Sequence, residues 1–256
     1  MPLRCLPVRT PTLPPATHTN CYVLGPSEAL VVVDPASPWE EEQQALWAQI
    51  QELGQVASIF LTHHHPDHVG GVEDMVARSG APVLAHPMTA ERVSFPVDRL
   101  VHEGDRLADW TLLHTPGHAT GHLCLWREES GELIAGDMVA GDGTIVLEPP
   151  EGDLAHYLAS LERLSKLEPQ AVYPAHGPKL KAEVFARYIA HRHARTVQIK
   201  AALNAQSQSE LELVAQVYGE TIPKFVYPLA ARQVRCHLIW LQAEGQASAS
   251  EKGWTA

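Results

Sequence analysis

The β-prone run Val56-Ala57-Ser58-Ile59-Phe60-Leu61 empties into Thr62-His63-His64-His65-Pro66-Asp67-His68, which packs four histidines and a carboxylate into seven residues. A short strand ending in imidazoles and an aspartate presents metal ligands at the edge of a sheet. His63 and His65, at i and i+2 on an extended or tightly turned segment, can reach one ion through neutral imidazole nitrogens. Asp67 and His68 diverge from that pair and can serve a second ion close by. Two cations need a shared anion to offset their repulsion. Asp137 is the candidate, because it follows Leu133-Ile134-Ala135-Gly136 and Gly136 permits close backbone approach. His118 in Thr115-Pro116-Gly117-His118 and His176 in Pro174-Ala175-His176-Gly177 each sit in a tight turn after an apolar stretch.

The surrounding pattern is layered α/β. Strands are expected over Asn20–Gly25, Ala29–Val33, Val56–Leu61 and Ala81–Ala85, with helices from Ser37 to about Leu53 and from Gly70-Gly71 to about Arg78. Ser37 before Pro38-Trp39-Glu40-Glu41 resembles an N-cap followed by proline at the first helical position. Shorter strands follow over 110–114, 122–126 and 132–135, then a helix over 154–167 and a strand over 171–173. Strand-helix alternation followed by further strands fits helices covering packed sheets. Beyond Pro178 the chain reads as helical, over about 181–205, 209–218 and 228–244, and the last two resemble a helix-turn-helix or winged-helix pair. The expected organisation is a catalytic domain over 1–178, a small helical, winged-helix-like domain over 179–246, and a disordered tail over 247–256 rich in Ser, Ala and Gly.

Composition narrows the function classes. The chain has 256 residues and a net charge of −11, unevenly spread. Met1 to Gly177 carries 9 Lys and Arg against 24 Asp and Glu, and the remainder carries 10 against 6. That balance disfavours tight binding of long duplex nucleic acid, while the basic tail could supply positive charge beside the site for an anionic substrate. No apolar run approaches the roughly 20 residues of a membrane span. The N-terminus lacks a hydrophobic signal core, so a cytoplasmic location without membrane attachment is expected. Cys5, Cys21, Cys124 and Cys236 are scattered without a Cys-x-x-Cys pair and read as free thiols. A homodimer is left open.

The pattern His63-x-His65-x-Asp67-His68, then His118, Asp137 and His176, resembles the metallo-β-lactamase superfamily. Thr62, Gly70-Gly71, Thr115-Pro116-Gly117-His118, Gly136-Asp137 and His176-Gly177 extend the match over about residues 15–180. The resemblance implies an αββα sandwich with a dinuclear site at one edge of the paired sheets. It assigns His63, His65 and His118 to the first metal and Asp67, His68 and His176 to the second, with Asp137 bridging. Gly141-Asp142-Gly143-Thr144, Tyr173-Pro174-Ala175-His176-Gly177-Pro178, Tyr188-Ile189-Ala190-His191-Arg192 and the helical C-terminus are similar to the lactamase-β-like endoribonuclease branch. The histidine cluster is equally similar to glyoxalase II, although no Cys-Gly-Arg stretch follows Asp137 here.

A site of that kind implies two Zn2+ ions per chain, with manganese or iron as chemical alternatives, and a metal-bridging hydroxide as nucleophile. Asp67 is the expected catalytic residue, orienting the hydroxide and accepting its proton. Asp34 and His122 are candidates to orient the ligands from outside. His191 and Arg192 are candidates to grip a substrate anion, with Thr144 beside them. The preferred substrate is an ester-type bond, first the phosphodiester of single-stranded RNA. The alternatives are a thioesterase or lactonase acting on a small metabolite, and a non-hydrolytic iron enzyme.

Overall fold

The computed structural model describes residues 3–256. Its first sheet lies in chain order: β1 (Arg4–Arg9), β2 (His18–Leu24), β3 (Leu30–Val33), β4 (Val56–Phe60), β5 (Val83–Ala85) and β6 (Arg99–Leu100). β1 to β3 pair antiparallel and β3 to β6 parallel. Between them run α1 (Glu40–Leu53), α2 (Pro66–Val69), α3 (Val72–Ser79) and α4 (Pro87–Ala90). The second sheet has the order β11 (Ala171–Pro174), β10 (Glu132–Gly136), β9 (Leu123–Arg127), β8 (Trp110–His114), β7 (Arg106–Leu107). It is flanked by α5 (Leu154–Ser165) and α6 (Glu183–Ala202).

The apolar patterning explains the layers. β3 reads Leu-Val-Val-Val because both of its faces are buried. Val31 and Val33 join Phe60, Trp110, Leu112, Leu123 and Leu125 in the core between the sheets. Leu30 and Val32 pack on the other side with Leu46 and Ile50 of α1 and Val72 and Met75 of α3. Leu133, Ala135 and Val172 likewise meet Leu158, Leu161, Phe185 and Tyr188 of α5 and α6 on the outer face of the second sheet. The result is an αββα sandwich, with a C-terminal winged-helix-like unit built on α6.

That unit contains α7 (Glu210–Tyr218) and α8 (Tyr227–Ala243), then a hairpin of β12 (Ser248–Ser250) and β13 (Gly253–Thr255). Ser209 and Glu212 close a capping box on α7. The hairpin corrects the expectation of a disordered tail over 247–256. Ala247 and Trp254 are buried with Val214, Val234 and Leu238, and Trp254 exchanges two backbone hydrogen bonds with Gln208 while its indole Nε1 donates to Glu210 at 3.1 Å. One tryptophan therefore anchors an otherwise small and polar segment. The start of α1 is a second correction. The helix begins at Glu40, after Trp39, and the Ser37 hydroxyl accepts from the Trp39 N–H at 3.3 Å in the turn before it. Among the described residues no helix is long and apolar enough to cross a membrane.

Candidate metal centre

The clustered side chains all emerge at one rim of the sandwich. β4 leads into His63–His68, the turn between β8 and β9 carries His118, the end of β10 carries Asp137, and the end of β11 carries His176. Sequence neighbours alone could not hold these segments in register, so hydrogen bonds from surrounding groups do it. Asn20 donates through its side-chain amide to the carbonyls of Pro174 and Gly177, both at 2.9 Å, pinning the loop of His176. Thr19 donates to the Asp67 carbonyl at 2.8 Å. Asp34 ends β3 at a φ of 51°, a left-handed conformation that a short polar residue tolerates. There its carboxylate accepts from the Thr62 N–H at 2.8 Å and the Thr62 hydroxyl at 2.7 Å, and lies 2.8 Å from His68 Nδ1.

Three imidazole nitrogens converge first. His63 Nε2 lies 3.0 Å from His65 Nδ1, and His118 Nε2 lies 3.2 and 2.9 Å from those two atoms. Nitrogens about 2.0–2.1 Å from a tetrahedral zinc stand roughly 3.3 Å apart, so this triangle has the size of an ion's coordination face. Asp67, His68 and His176 form a second group. Asp137 stands between them. Its Oδ2 is 3.4 Å from His118 Nε2, while its Oδ1 is 3.3 Å from His176 Nε2 and 3.5 Å from His68 Nε2. His68 Nε2 and Asp137 Oδ1 are buried without any hydrogen-bond partner. Buried polar atoms left unpaired are costly, and a cation between them would satisfy both. The donor set thus fits divalent metal, with Asp137 standing between the two ligand groups.

The far sides of the rings are held as ligands require. His118 Nδ1 lies 2.8 Å from the Val146 carbonyl, His176 Nδ1 lies 2.9 Å from the His18 carbonyl, and His63 Nδ1 lies 3.0 Å from the Thr62 hydroxyl. His122 stays outside the cluster. Its Nε2 accepts from the Asp137 N–H at 3.1 Å and its Nδ1 meets Thr115 Oγ1 at 2.8 Å, so it anchors the backbone of the bridging residue. Burial lowers the pKa of His63 and His118 below the imidazole range, and that of His65 to about 3, keeping all three neutral and able to donate a lone pair. For His68 burial acts in the same direction, but the carboxylates of Asp137 and Asp34 overcome it and hold the pKa well above the usual value. Burial would raise the Asp137 carboxyl, yet His176 and His68 hold it well below the carboxylate range.

Residues 14–176 match the model of the metallo-β-lactamase superfamily, and residues 209–254 match that of the β-lactamase-associated winged helix domain. The chain belongs to the metallo-β-lactamase superfamily. It is 31% identical over 254 residues to a β-lactamase-like protein 2 homologue of Drosophila melanogaster, spanning 91% of this chain and 85% of that protein. It is 29% identical over 222 residues to an atrochrysone carboxyl ACP thioesterase of Passalora fulva, covering 80% of this chain but only 64% of that one. The crystal structure of a metallo-β-lactamase family protein from Thermus thermophilus superposes with a TM-score of 0.82 at 26% identity, over 98% of this chain and 97% of that one.

Above the superfamily's metal rim lies a cavity of about 580 Å³, walled by Pro11–Ala16, the segment 142–151 and Leu229 of α8. Asp67, His65, His118, Asp137 and His176 form its floor, and the exposed Thr144 lines it. His191 and Arg192, the candidates to grip a substrate anion, do not line this cavity but sit on α6 beside it. Arg192 is only 3% exposed, and it donates to the Ile145 carbonyl at 2.5 Å and to Gln233 Oε1 at 3.0 Å. It lies on the inward stripe of α6 with Phe185, Tyr188, Thr196 and Ile199, whereas His191 is exposed. Sequence reading missed Thr19, Asn20, Thr115 and Glu151. Asn20 did carry a signal, as an amide heading an apolar strand, and Glu151 reaches His64 Nε2 at 3.1 Å from far along the chain.

Replacing Asp34 by asparagine tests the outer support. Asparagine also adopts the left-handed conformation, but its neutral amide no longer pairs with His68 as a carboxylate does. Affinity for the second ion is expected to fall about 10- to 100-fold, with the first little changed, as read by competition against a chromophoric chelator. Equal loss at both sites would refute this positioning role.

Proposed function

We propose that the chain hydrolyses a thioester with an apolar acyl group, using two divalent ions, zinc being the first choice for this mixed nitrogen and oxygen donor set. Held by His63, His65, His118, Asp67, His68, His176 and Asp137, such ions would supply an acidified water and polarisation of the substrate carbonyl. Asp67 is the more exposed of the two carboxylates in the cluster, at 18% against 10% for Asp137, and it faces the cavity. It is placed to orient the attacking water and take its proton. Asp137, anchored through His122, fixes the spacing of the two ligand groups. His63, His65 and His118 remain neutral and contribute nitrogen alone.

The observation that carries the choice of substrate is the wall of the cavity. Leu13, Pro14, Pro15, Ile145, Val146 and Leu229 make it apolar, which suits an acyl group. A single-stranded RNA phosphodiester fits less well. Asp142, Glu148 and Glu151 also line the cavity, and its Arg92 pairs with Glu151 at 3.7 Å, so beside the candidate ligands no unpaired cation faces a phosphodiester. No cysteine lines the cavity. The thiols of Cys124 and Cys236 are pushed up to about 12 by burial, and burial also holds that of Cys21 well above its ordinary range. The Passalora protein named as a thioesterase supports the same direction.

The test pairs elemental analysis with a substrate panel: an acyl thioester, a lactone, bis(p-nitrophenyl) phosphate and a short single-stranded RNA. The thioester is expected to show the highest kcat/KM, with activity abolished by chelation and restored by added metal. Cleavage of RNA alone would overturn the reading.

A further inference from the structure

A second cleft, of about 470 Å³, opens beside the metal cavity under α6, and Ala140, Gly143 and Thr144 line both. Its other walls carry Arg187, His191, Arg192 and Arg195, with Tyr218 and Gln233, and no carboxylate. These are all three arginines of α6, in a chain whose first 177 residues are strongly acidic. Most arginines elsewhere are consumed in ion pairs, as Arg78 with Asp74 at 2.7 Å, Arg127 with Asp109 at 3.1 Å and Arg232 with Glu148 at 2.7 Å. Among the described residues Arg187, Arg192 and Arg195 have no carboxylate partner.

Arg192 makes this costly. Its guanidinium is buried, its two hydrogen bonds go to neutral oxygens, and its Nε finds no acceptor. The Nε of Arg195 is likewise buried without an acceptor, and its guanidinium stacks 3.9 Å from the centroid of Tyr218, which holds it toward the cleft. A buried positive charge without a counter-charge is strongly unfavourable, so a cleft built this way calls for an anion. The fork of an arginine matches the oxygens of a phosphate, and several such forks converge here. His191 records the same field, since burial and the neighbouring Arg192 and Arg195 hold its imidazole below its ordinary range.

We propose that the α6 cleft binds a phosphate group on the thiol side of the substrate, so that a thioester lies across the Gly143–Thr144 ridge with its acyl carbonyl over the metal rim and its phosphate among Arg187, His191 and Arg195. This rests on the thioester reading and names the leaving-group chemistry that reading lacks. Arg192 acts from beneath, lending charge to the cleft while holding the Ile145 carbonyl in the ridge.

The test compares an acyl-coenzyme A with the same acyl group on N-acetylcysteamine, which has no phosphate, using the metal-loaded enzyme. The kcat/KM ratio of the first over the second is expected to exceed ten in the wild type and to fall toward one in Arg187→Ala/Arg195→Ala. The single variant Arg187→Ala, at an exposed position, should show an intermediate ratio. A ratio near one in the wild type, or one that the variants leave unmoved, overturns the proposal. Turnover of neither thioester refutes the thioester reading instead. Calorimetric binding of desulfo-coenzyme A, which has no thiol to reach the metals, then decides the cleft alone. Binding at least tenfold weaker in the double variant supports it, and equal binding refutes it. Displacement of that probe by short single-stranded RNA at lower concentration would reassign the cleft to a polynucleotide.

Discussion

Asp67→Ala is expected to lower kcat by at least about 10³-fold while the purified protein keeps about one metal ion per chain. The two halves of this outcome have separate origins. His63, His65 and His118 form their nitrogen triangle without Asp67, so that group keeps its ion. Asp67 groups instead with His68 and His176, its Oδ2 lying 3.5 Å from His176 Nε2, and the second ion loses an oxygen donor. Loss of a positioned general base alone removes about 10²–10⁴-fold in rate. The fold should survive, because the contact of Asp67 with Thr19 runs through the backbone carbonyl, which alanine retains. Asp67→Asn separates the roles, since its amide oxygen still offers a lone pair but takes no proton. Metal content near two with kcat still reduced about 10²-fold or more would assign the loss to proton transfer. Full activity in Asp67→Ala would defeat the assignment of this residue.

The candidate ligand cluster was legible in the sequence because coordination demands particular residue types in short, rigid contexts. His63–His68, the Gly117-His118 turn and Gly136-Asp137 state their chemistry locally. The paired sheets were legible too, since Val31-Val32-Val33 and Leu123-Cys124-Leu125 are apolar on both faces, as strands between two layers must be. β1 was hidden for the opposite reason. It is an edge strand with only Val8 buried, so Arg-Cys-Leu-Pro-Val-Arg has no alternation to read. The wing was hidden because its stability lies in one tryptophan and in pairing with Gln208, about 45 residues earlier in the chain. The position of Arg192 was readable and was missed. Spacings of three and four from Phe185 through Tyr188, Arg192, Thr196 and Ile199 trace the inward face of α6, which separates Arg192 from its neighbour His191. The cleft it underlies needed three dimensions, because Tyr218 and Gln233 come from two other helices.

Gly117→Ala is expected to cost about 3 kcal/mol or more of stability and to abolish metal binding at the first group of histidines. Gly117 has a φ of +132°, and a Cβ there would fall 2.3 Å from both the amide nitrogen and the Cα of Tyr157. Those are backbone atoms of α5, so no side-chain rotation relieves the overlap. The two segments are also bonded in place. The Gly117 carbonyl accepts from the Asp153 N–H at 2.8 Å, and the Pro116 carbonyl accepts from the Ser160 hydroxyl at 2.8 Å. Relief therefore requires α5 and the turn to part, and His118 is the next residue along. A displacement of roughly 1 Å takes His118 Nε2 out of its triangle with His63 and His65, beyond the narrow range of metal–nitrogen distances. Gly104→Ala supplies the control, since Gly104 has a φ of +84° with nothing near its added Cβ. That change should cost only about 1–2 kcal/mol for the left-handed backbone. The Tm of Gly117→Ala should then fall roughly 6–12 °C, well beyond that of Gly104→Ala. Equal melting of the two variants, with metal content intact in both, would mean that the turn yields without moving His118, and the rigid delivery of that ligand by the β8–β9 turn would have to be abandoned.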